Sequence, residues 1–158
     1  GYLGCTHDSD MDAVSSSMLI AEIAAYYKSQ GMTLIDALNG IYAKYGYYYD
    51  CLETLVLKGK AGAEKICAAM SALRAEGDGL FDDIEHVSDY LTGIDDLPRE
   101  NVLRFEFNDG SWAAVRPSGT EPKLKLYFSV RGEDRRSAEQ RQKAIRNALF
   151  VVIDKIKV

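Results

Sequence analysis

The segment from Val102 to Val130 constrains this chain more than any other. Val102–Phe107 sets Leu103, Phe105 and Phe107 against Val102, Arg104 and Glu106, the period-two alternation of a strand buried on one face. Asn108-Asp109-Gly110 follows, and Asp-Gly is a preferred tight-hairpin pair. Ser111–Arg116 reads as the return strand. After the loop Pro117–Pro122, Lys123–Val130 alternates again, with Leu124, Leu126, Phe128 and Val130 against Lys123, Lys125, Tyr127 and Ser129. Three hairpin-linked strands commit this part of the chain to a mainly antiparallel sheet with one face in a core.

Helical periodicity supplies the cover. Ala63, Ile66, Met70 and Leu73 form a stripe over a helix from about Ala61 to Ala75, closed by Gly77. Ala138, Ile145, Leu149, Val152 and Ile156 form another on a helix from about Ser137 to Lys157. Leu52–Lys58 predicts a further strand, with Tyr47–Asp50 as a connector before it. Residues 78–100 are acidic and irregular; Phe81–Ile84 suggests a helical turn, and Val87–Leu91 a short strand or turn. Upstream, two helices predict a hairpin. One runs from Asp12 to about Gln30, capped by Asp10 or Asp12 and ended by Gly31. The other starts at Thr33, with Asp36 completing an approximate capping box, and carries the stripe Leu34, Leu38, Ile41 and Tyr45. The expected class is α+β: a helical hairpin, then a β-α-(variable)-β-β-β-α unit.

Charge and cysteine content narrow the function classes. A net charge of −5 over 158 residues disfavours general nucleic-acid binding, which needs many phosphate-neutralising cations. The longest apolar run, Ala148–Ile153, stops at Asp154, far short of a membrane span. No signal peptide is visible. Cys5, Cys51 and Cys67 have neither disulfide-framework nor zinc-knuckle spacing, so free thiols in a reducing cytoplasm are expected. Asp8, Asp10 and Asp12 alternate beside His7, but an EF-hand loop fails at Ala13 and Leu19, leaving helix capping as the reading. The tyrosines at 45, 47, 48 and 49 read either as a stacking surface or as hinge packing. Trp112 reads as core or sheet surface, and the acids around Asp82-Asp83 and Asp95-Asp96 as a solvated face.

The chemistry concentrates in Arg116-Pro117-Ser118-Gly119-Thr120-Glu121-Pro122-Lys123-Leu124-Lys125. Sheet strands fix both ends of this loop, and two prolines stiffen it. Gly119 is free to take φ > 0. Ser118 and Thr120 offer hydroxyls, and the N–H groups of Ser118, Gly119 and Thr120 can form an anion nest. Arg116 adds a fork of donors, with Lys123 and Lys125 as further cations. Residues 116–136 hold six cations against three anions, a positive segment in an acidic chain. On the residues alone, the loop reads equally as a phosphate clamp or as an ordinary polar hairpin loop.

Arg116-Pro-Ser-Gly-Thr-Glu-Pro-Lys123 resembles the phosphate-binding loop in the last domain of the α-D-phosphohexomutases, the phosphoglucomutase/phosphomannomutase family. Ala21–Gly31 and Ile41–Tyr48 resemble the closing helices of that family's third domain, and Gly59–Lys65 and Asn108–Trp112 early parts of its fourth. The resemblance implies closing helices of domain three over residues 1–50. It implies a TATA-box-binding-protein-like domain four over 51–158, its sheet covered by two helices. The absence of an initiator methionine before Gly1-Tyr2-Leu3-Gly4 fits a piece of a longer polypeptide. By similarity, Arg116, Ser118, Gly119, Thr120, Lys123 and Lys125 hold the phosphate of a phosphosugar. The family interconverts hexose 1-phosphate and hexose 6-phosphate through a phosphoserine, assisted by Mg²⁺. Neither the Thr-Ala-Ser-His-Asn-Pro-type motif nor the Asp-Gly-Asp-type metal motif occurs here, and Met11 stands where the family often has Lys. The expectation is therefore a cytoplasmic phosphate-binding part that needs the remaining domains of the same polypeptide and has no mutase activity alone. A stand-alone phosphosugar- or anion-binding module and part of a phosphopentomutase are the alternatives.

Overall fold

The computed structural model describes residues 12–94 and 96–156. The acidic stretch at His7–Met11, Cys5 and Asp95 lie outside the described residues. Contacts divide the chain into two units, residues 1–45 and 46–158.

The first unit is the helical hairpin. Helix α1 (Ala13–Ser29) is capped by Asp12, whose carboxylate accepts from the N–H groups of Val14 and Ser15. Gly31 takes φ 74° just beyond its end. Helix α2 (Leu34–Tyr45) starts with a reciprocal box: Thr33 N–H donates to Asp36, and Asp36 N–H to the Thr33 hydroxyl. The stripe Leu34, Leu38, Ile41 and Tyr45 falls on α2, yet among the described residues of the two helices only Ala37 is buried. Val14 (80% exposed), Met18 (73%) and Ile35 (70%) leave an unusually large apolar area uncovered for so small a unit.

The second unit is built on a five-stranded sheet. Strands β1 (Tyr47–Val56), β2 (Ile84–Asp89), β3 (Leu103–Phe107), β4 (Trp112–Pro117) and β5 (Lys123–Gly132) lie in the order β1-β5-β4-β3-β2, every pair antiparallel. The alternation places Leu103, Phe105, Phe107, Ala113, Val115, Leu124, Leu126, Phe128 and Val130 on one face. Helices α3 (Gly59–Glu76) and α4 (Arg135–Lys155) cover that face with Ile66, Met70 and Leu73, and with Ile145, Leu149, Val152 and Ile153. Glu53, on the helix-facing side of β1, is met by Gln142 at 3.1 Å and Arg146 at 2.6 Å from α4, so its carboxylate is paired where it is half-buried.

Three expectations need correction. Tyr47–Asp50 is not a connector: these residues pair with Gly132, Arg131, Val130 and Ser129, because β5 runs on past Val130 and offers them partners. Phe81–Ile84 is not a helical turn. The turn is a 3₁₀ segment at Gly77–Leu80, and Phe81 is extended, its ring edge-on to Phe105 and Phe107. Residues 84–89 are a full edge strand with a bulge near its start. The Asn-Asp-Gly turn forms as read: Gly110 takes φ 82° and its N–H donates to the Phe107 carbonyl at 2.9 Å.

Candidate functional site

The loop between β4 and β5 is held at three points. Pro117 pairs with Leu124 at its mouth, Ser118 N–H donates to the Lys123 carbonyl at 2.8 Å, and the Pro122 carbonyl accepts from Leu57 N–H at 2.9 Å. The last bond ties the loop to the end of β1. Leu57 in turn lies under the first turn of α3, where Gly62 approaches so closely that a Cβ would stand 2.6 Å from the Leu57 carbonyl carbon. A cleft of about 510 Å³ separates the loop from α3, walled by Gly59, Ala63 and Cys67 on one side and Pro117, Thr120 and Glu121 on the other.

On the sheet face away from the helices, Arg116 of β4 and Lys125 of β5 stand directly opposite each other. The pleat dictates this: their neighbours Val115, Leu124 and Leu126 all point into the core. Two like charges in direct cross-strand register repel. Arg116 is half exposed, and its Nη2 lies 4.0 Å from a Glu100 carboxylate oxygen. Among the described residues, no ion-pair partner meets Lys125. Lys123 differs: its ammonium sits 2.7 Å from Glu121, and its N–H donates to the Glu121 carbonyl, also at 2.7 Å.

The six expected residues therefore divide. Arg116 and Lys125 form an adjacent cationic pair whose one counter-charge among the described residues is Glu100, at 4.0 Å from Arg116. Gly119 and Thr120 are exposed, and no described residue accepts from their N–H groups or bonds the hydroxyls of Ser118 and Thr120. The N–H of Ser118 is not a free donor, because it closes the loop onto Lys123. Gly119 does not use positive φ, and a Cβ there would meet nothing within 4 Å, so neither its dihedral nor crowding within the chain calls for glycine. Lys123 braces the turn through Glu121. The residue that sequence reasoning missed is Glu100, which the turn after β2 delivers to Arg116; no local pattern signals such a contact.

Donors without partners, two adjacent cations and a stiff frame suit a small, multiply charged oxyanion. The described residues bring together no group of three or more His, Cys, Asp or Glu, so this arrangement offers Mg²⁺ no ligand set.

Comparison with known proteins identifies relatives of nearly the whole chain. The family model described as the C-terminal domain of phosphoglucomutase/phosphomannomutase matches residues 14–148. A phosphoglucomutase of Staphylococcus saprophyticus is 36% identical over 147 residues, covering 85% of this chain and 26% of its own length. One from Staphylococcus haemolyticus is 34% identical over 163 residues, covering 95% of this chain and 29% of its own. The chain thus spans about a quarter of the length of the curated relatives it matches. A crystal structure of the exocytosis-sensitive phosphoprotein pp63/parafusin, a phosphoglucomutase from Paramecium in its open form, superposes with a TM-score of 0.67 at 19% identity. It covers 96% of this chain and 28% of that one, a likeness of fold.

Proposed function

This chain belongs to the phosphoglucomutase/phosphomannomutase family, and from that premise we propose that its 117–122 loop grips the phosphate of a hexose phosphate for a mutase whose reacting groups lie elsewhere in the polypeptide. The observation that carries this is the Arg116–Lys125 pair at the loop mouth. Side by side and short of counter-charge, the two cations cost the empty protein energy. A phosphate dianion turns that repulsion into attraction, and the free N–H and O–H groups of the loop take its remaining oxygens. Lys123 contributes as a brace, holding the turn closed through Glu121.

The reaction proposed for the whole protein is the interconversion of hexose 1-phosphate and hexose 6-phosphate. A phosphoserine and Mg²⁺ elsewhere in the polypeptide would supply the nucleophilic chemistry and its charge compensation; the described residues here bring together no group of three or more His, Cys, Asp or Glu to hold the metal. What this chain does is bind and orient: it neutralises the non-reacting phosphate and fixes the distance to the reacting centre, and positioning dominates phosphoryl transfer. Alone it has no turnover. The uncovered apolar faces support reading α1 and α2 as the closing helices of the preceding domain, packing against the remaining domains of the same polypeptide, with the boundary before β1 rather than after residue 50. Residues 46–158, which contain the whole of β1, are then the phosphate-binding domain.

The test is a titration of the 158-residue chain with glucose 1-phosphate, followed at the Gly119 amide by NMR. Saturable shifts are expected, weak in affinity because the other walls of the cleft are missing. Arg116→Ala removes charge-assisted bonds of about 1.5–3 kcal/mol, an affinity loss of roughly 10- to 150-fold. Shifts at Gly119 that are unchanged by Arg116→Ala would remove the clamp.

A further inference from the structure

The geometry points to a distinct role for Glu100: it is an internal counter-anion that pairs with Arg116 in the ligand-free protein and is displaced when a phosphate arrives, so that it sets the affinity of the site. This rests on the phosphate reading given above.

Glu100 comes from the connection between β2 and β3, not from the loop itself. Its main chain is clamped. Its N–H donates to the Tyr90 carbonyl at 3.1 Å, its carbonyl accepts from Val102 N–H at 2.8 Å, and Tyr90 N–H donates to the Val102 carbonyl at 3.0 Å. The next residue, Asn101, accepts from the Arg74 guanidinium at 2.6 Å, and the same guanidinium forks onto Asp89 at 2.9 and 3.2 Å. The backbone is thereby delivered to one place while the side chain stays loose. The Glu100 carboxylate lies 4.0 Å from Arg116 Nη2, with the two side chains 59% and 52% exposed. That is the outer limit of an ion pair, with water competing on all sides, and such a contact exchanges easily.

The second carboxylate at the loop behaves differently. Glu121 touches the Lys123 ammonium at 2.7 Å and also accepts that residue's N–H through its carbonyl. This pair is short and spans the turn that the Lys123 N–H closes on the Glu121 carbonyl, so a ligand displaces it less readily than the 4.0 Å Glu100 contact. One carboxylate is exchangeable and the other is structural.

A consequence for selectivity follows. A monoanion that replaces Glu100 on Arg116 exchanges one negative charge for another. A phosphate dianion brings two and can bridge Arg116 to Lys125, which Glu100 does not pair. Displacing Glu100 costs the same for both, so Glu100 lowers the affinity for either anion, and the preference for a dianionic phosphate monoester comes from Lys125 beside Arg116.

The experiment titrates inorganic phosphate at pH 8, and separately methyl sulfate, into the wild-type chain and into Glu100→Gln, Glu121→Gln and Glu139→Gln, again at the Gly119 amide. Glu139→Gln removes the same charge from α4. Glu100→Gln is expected to bind phosphate roughly two- to five-fold more tightly, the worth of an exposed pair. A gain of similar size is expected for methyl sulfate. Neither Glu121→Gln nor Glu139→Gln tightens binding. Unchanged or weaker binding in Glu100→Gln overturns the inference, as does an equal gain in Glu139→Gln, which would mark a net-charge effect. If phosphate produces no saturable shift in the wild-type chain, the phosphate reading itself fails. A wild-type response that depends on Arg116 but not on Glu100 defeats only the inference.

Discussion

Gly62→Ala tests the chain of contacts that holds the loop. Gly62 is buried in the first turn of α3. A Cβ there would stand 2.6 Å from the Leu57 carbonyl carbon, 2.7 Å from its oxygen and 2.9 Å from its Cβ. Carbon atoms pack best at about 3.5 Å, so backbone must move by roughly 0.9 Å, and no flexible side chain can absorb the shift. Overpacking of this kind costs about 1–3 kcal/mol. Alanine returns up to about 1 kcal/mol through helix propensity. The net expectation is a loss of about 1–2 kcal/mol. In urea this lowers the midpoint by roughly 0.5–1 M for a typical slope of about 2 kcal/mol/M. Trp112, the chain's single tryptophan, lies in the same unit and reports the transition. Because Leu57 N–H holds the Pro122 carbonyl at 2.9 Å, the displacement reaches the loop, and the amides from Gly119 to Lys123 shift with it. A midpoint at or above wild type, with the loop resonances unmoved, would show that α3 does not brace the loop.

Two further outcomes are expected. The Ser137 N–H, and then its hydroxyl, hold the Asp134 carboxyl below its ordinary pKa at the start of α4, so the stabilisation is present above the unfolded value near 3.8 and fades as pH falls through the depressed native one. Asp134→Ala should lower Tm at pH 7, with the gap narrowing below about pH 4; a gap constant from pH 7 to pH 2 would contradict this. Burial, followed by the Glu53 and Asp50 carboxylates, pushes the Cys51 thiol above its usual pKa, whereas Cys67 is exposed on α3. Iodoacetamide at neutral pH should therefore modify Cys67 well before Cys51, as mapped by peptide mass; equal rates would refute the assignment.

Legibility in the sequence follows the range of the interactions. The hairpin at 102–116 and the strand at 123–130 were readable nearly to the residue, because alternation and Asp-Gly turn chemistry act over a few positions. The first four residues of β1 were not, since their partners Ser129–Gly132 lie at the far end of the chain. Residues 84–89 were obscured because β2 is an edge strand whose Glu85 and His86 face solvent, which hides the alternation. The stripe of α2 announces a face that favours burial without saying against what, and in this chain it stays uncovered, as do Val14 and Met18 of α1. At the site, the motif placed the loop and its cations. It did not show that Lys123 is already occupied by Glu121, that Ser118 spends its N–H on closure, or that Glu100 arrives from another connection. Those facts depend on tertiary neighbours.

The pleat of β4 and β5 makes core and recognition surface two readings of one count. Moving either strand by a single position would exchange its greasy row for its cationic row, sending Lys125 inward and Leu124 or Leu126 out. The connection between them can thus vary in chemistry but not freely in length. An inserted residue that the turn cannot swallow would cost the molecule its interior and its ligand in the same stroke.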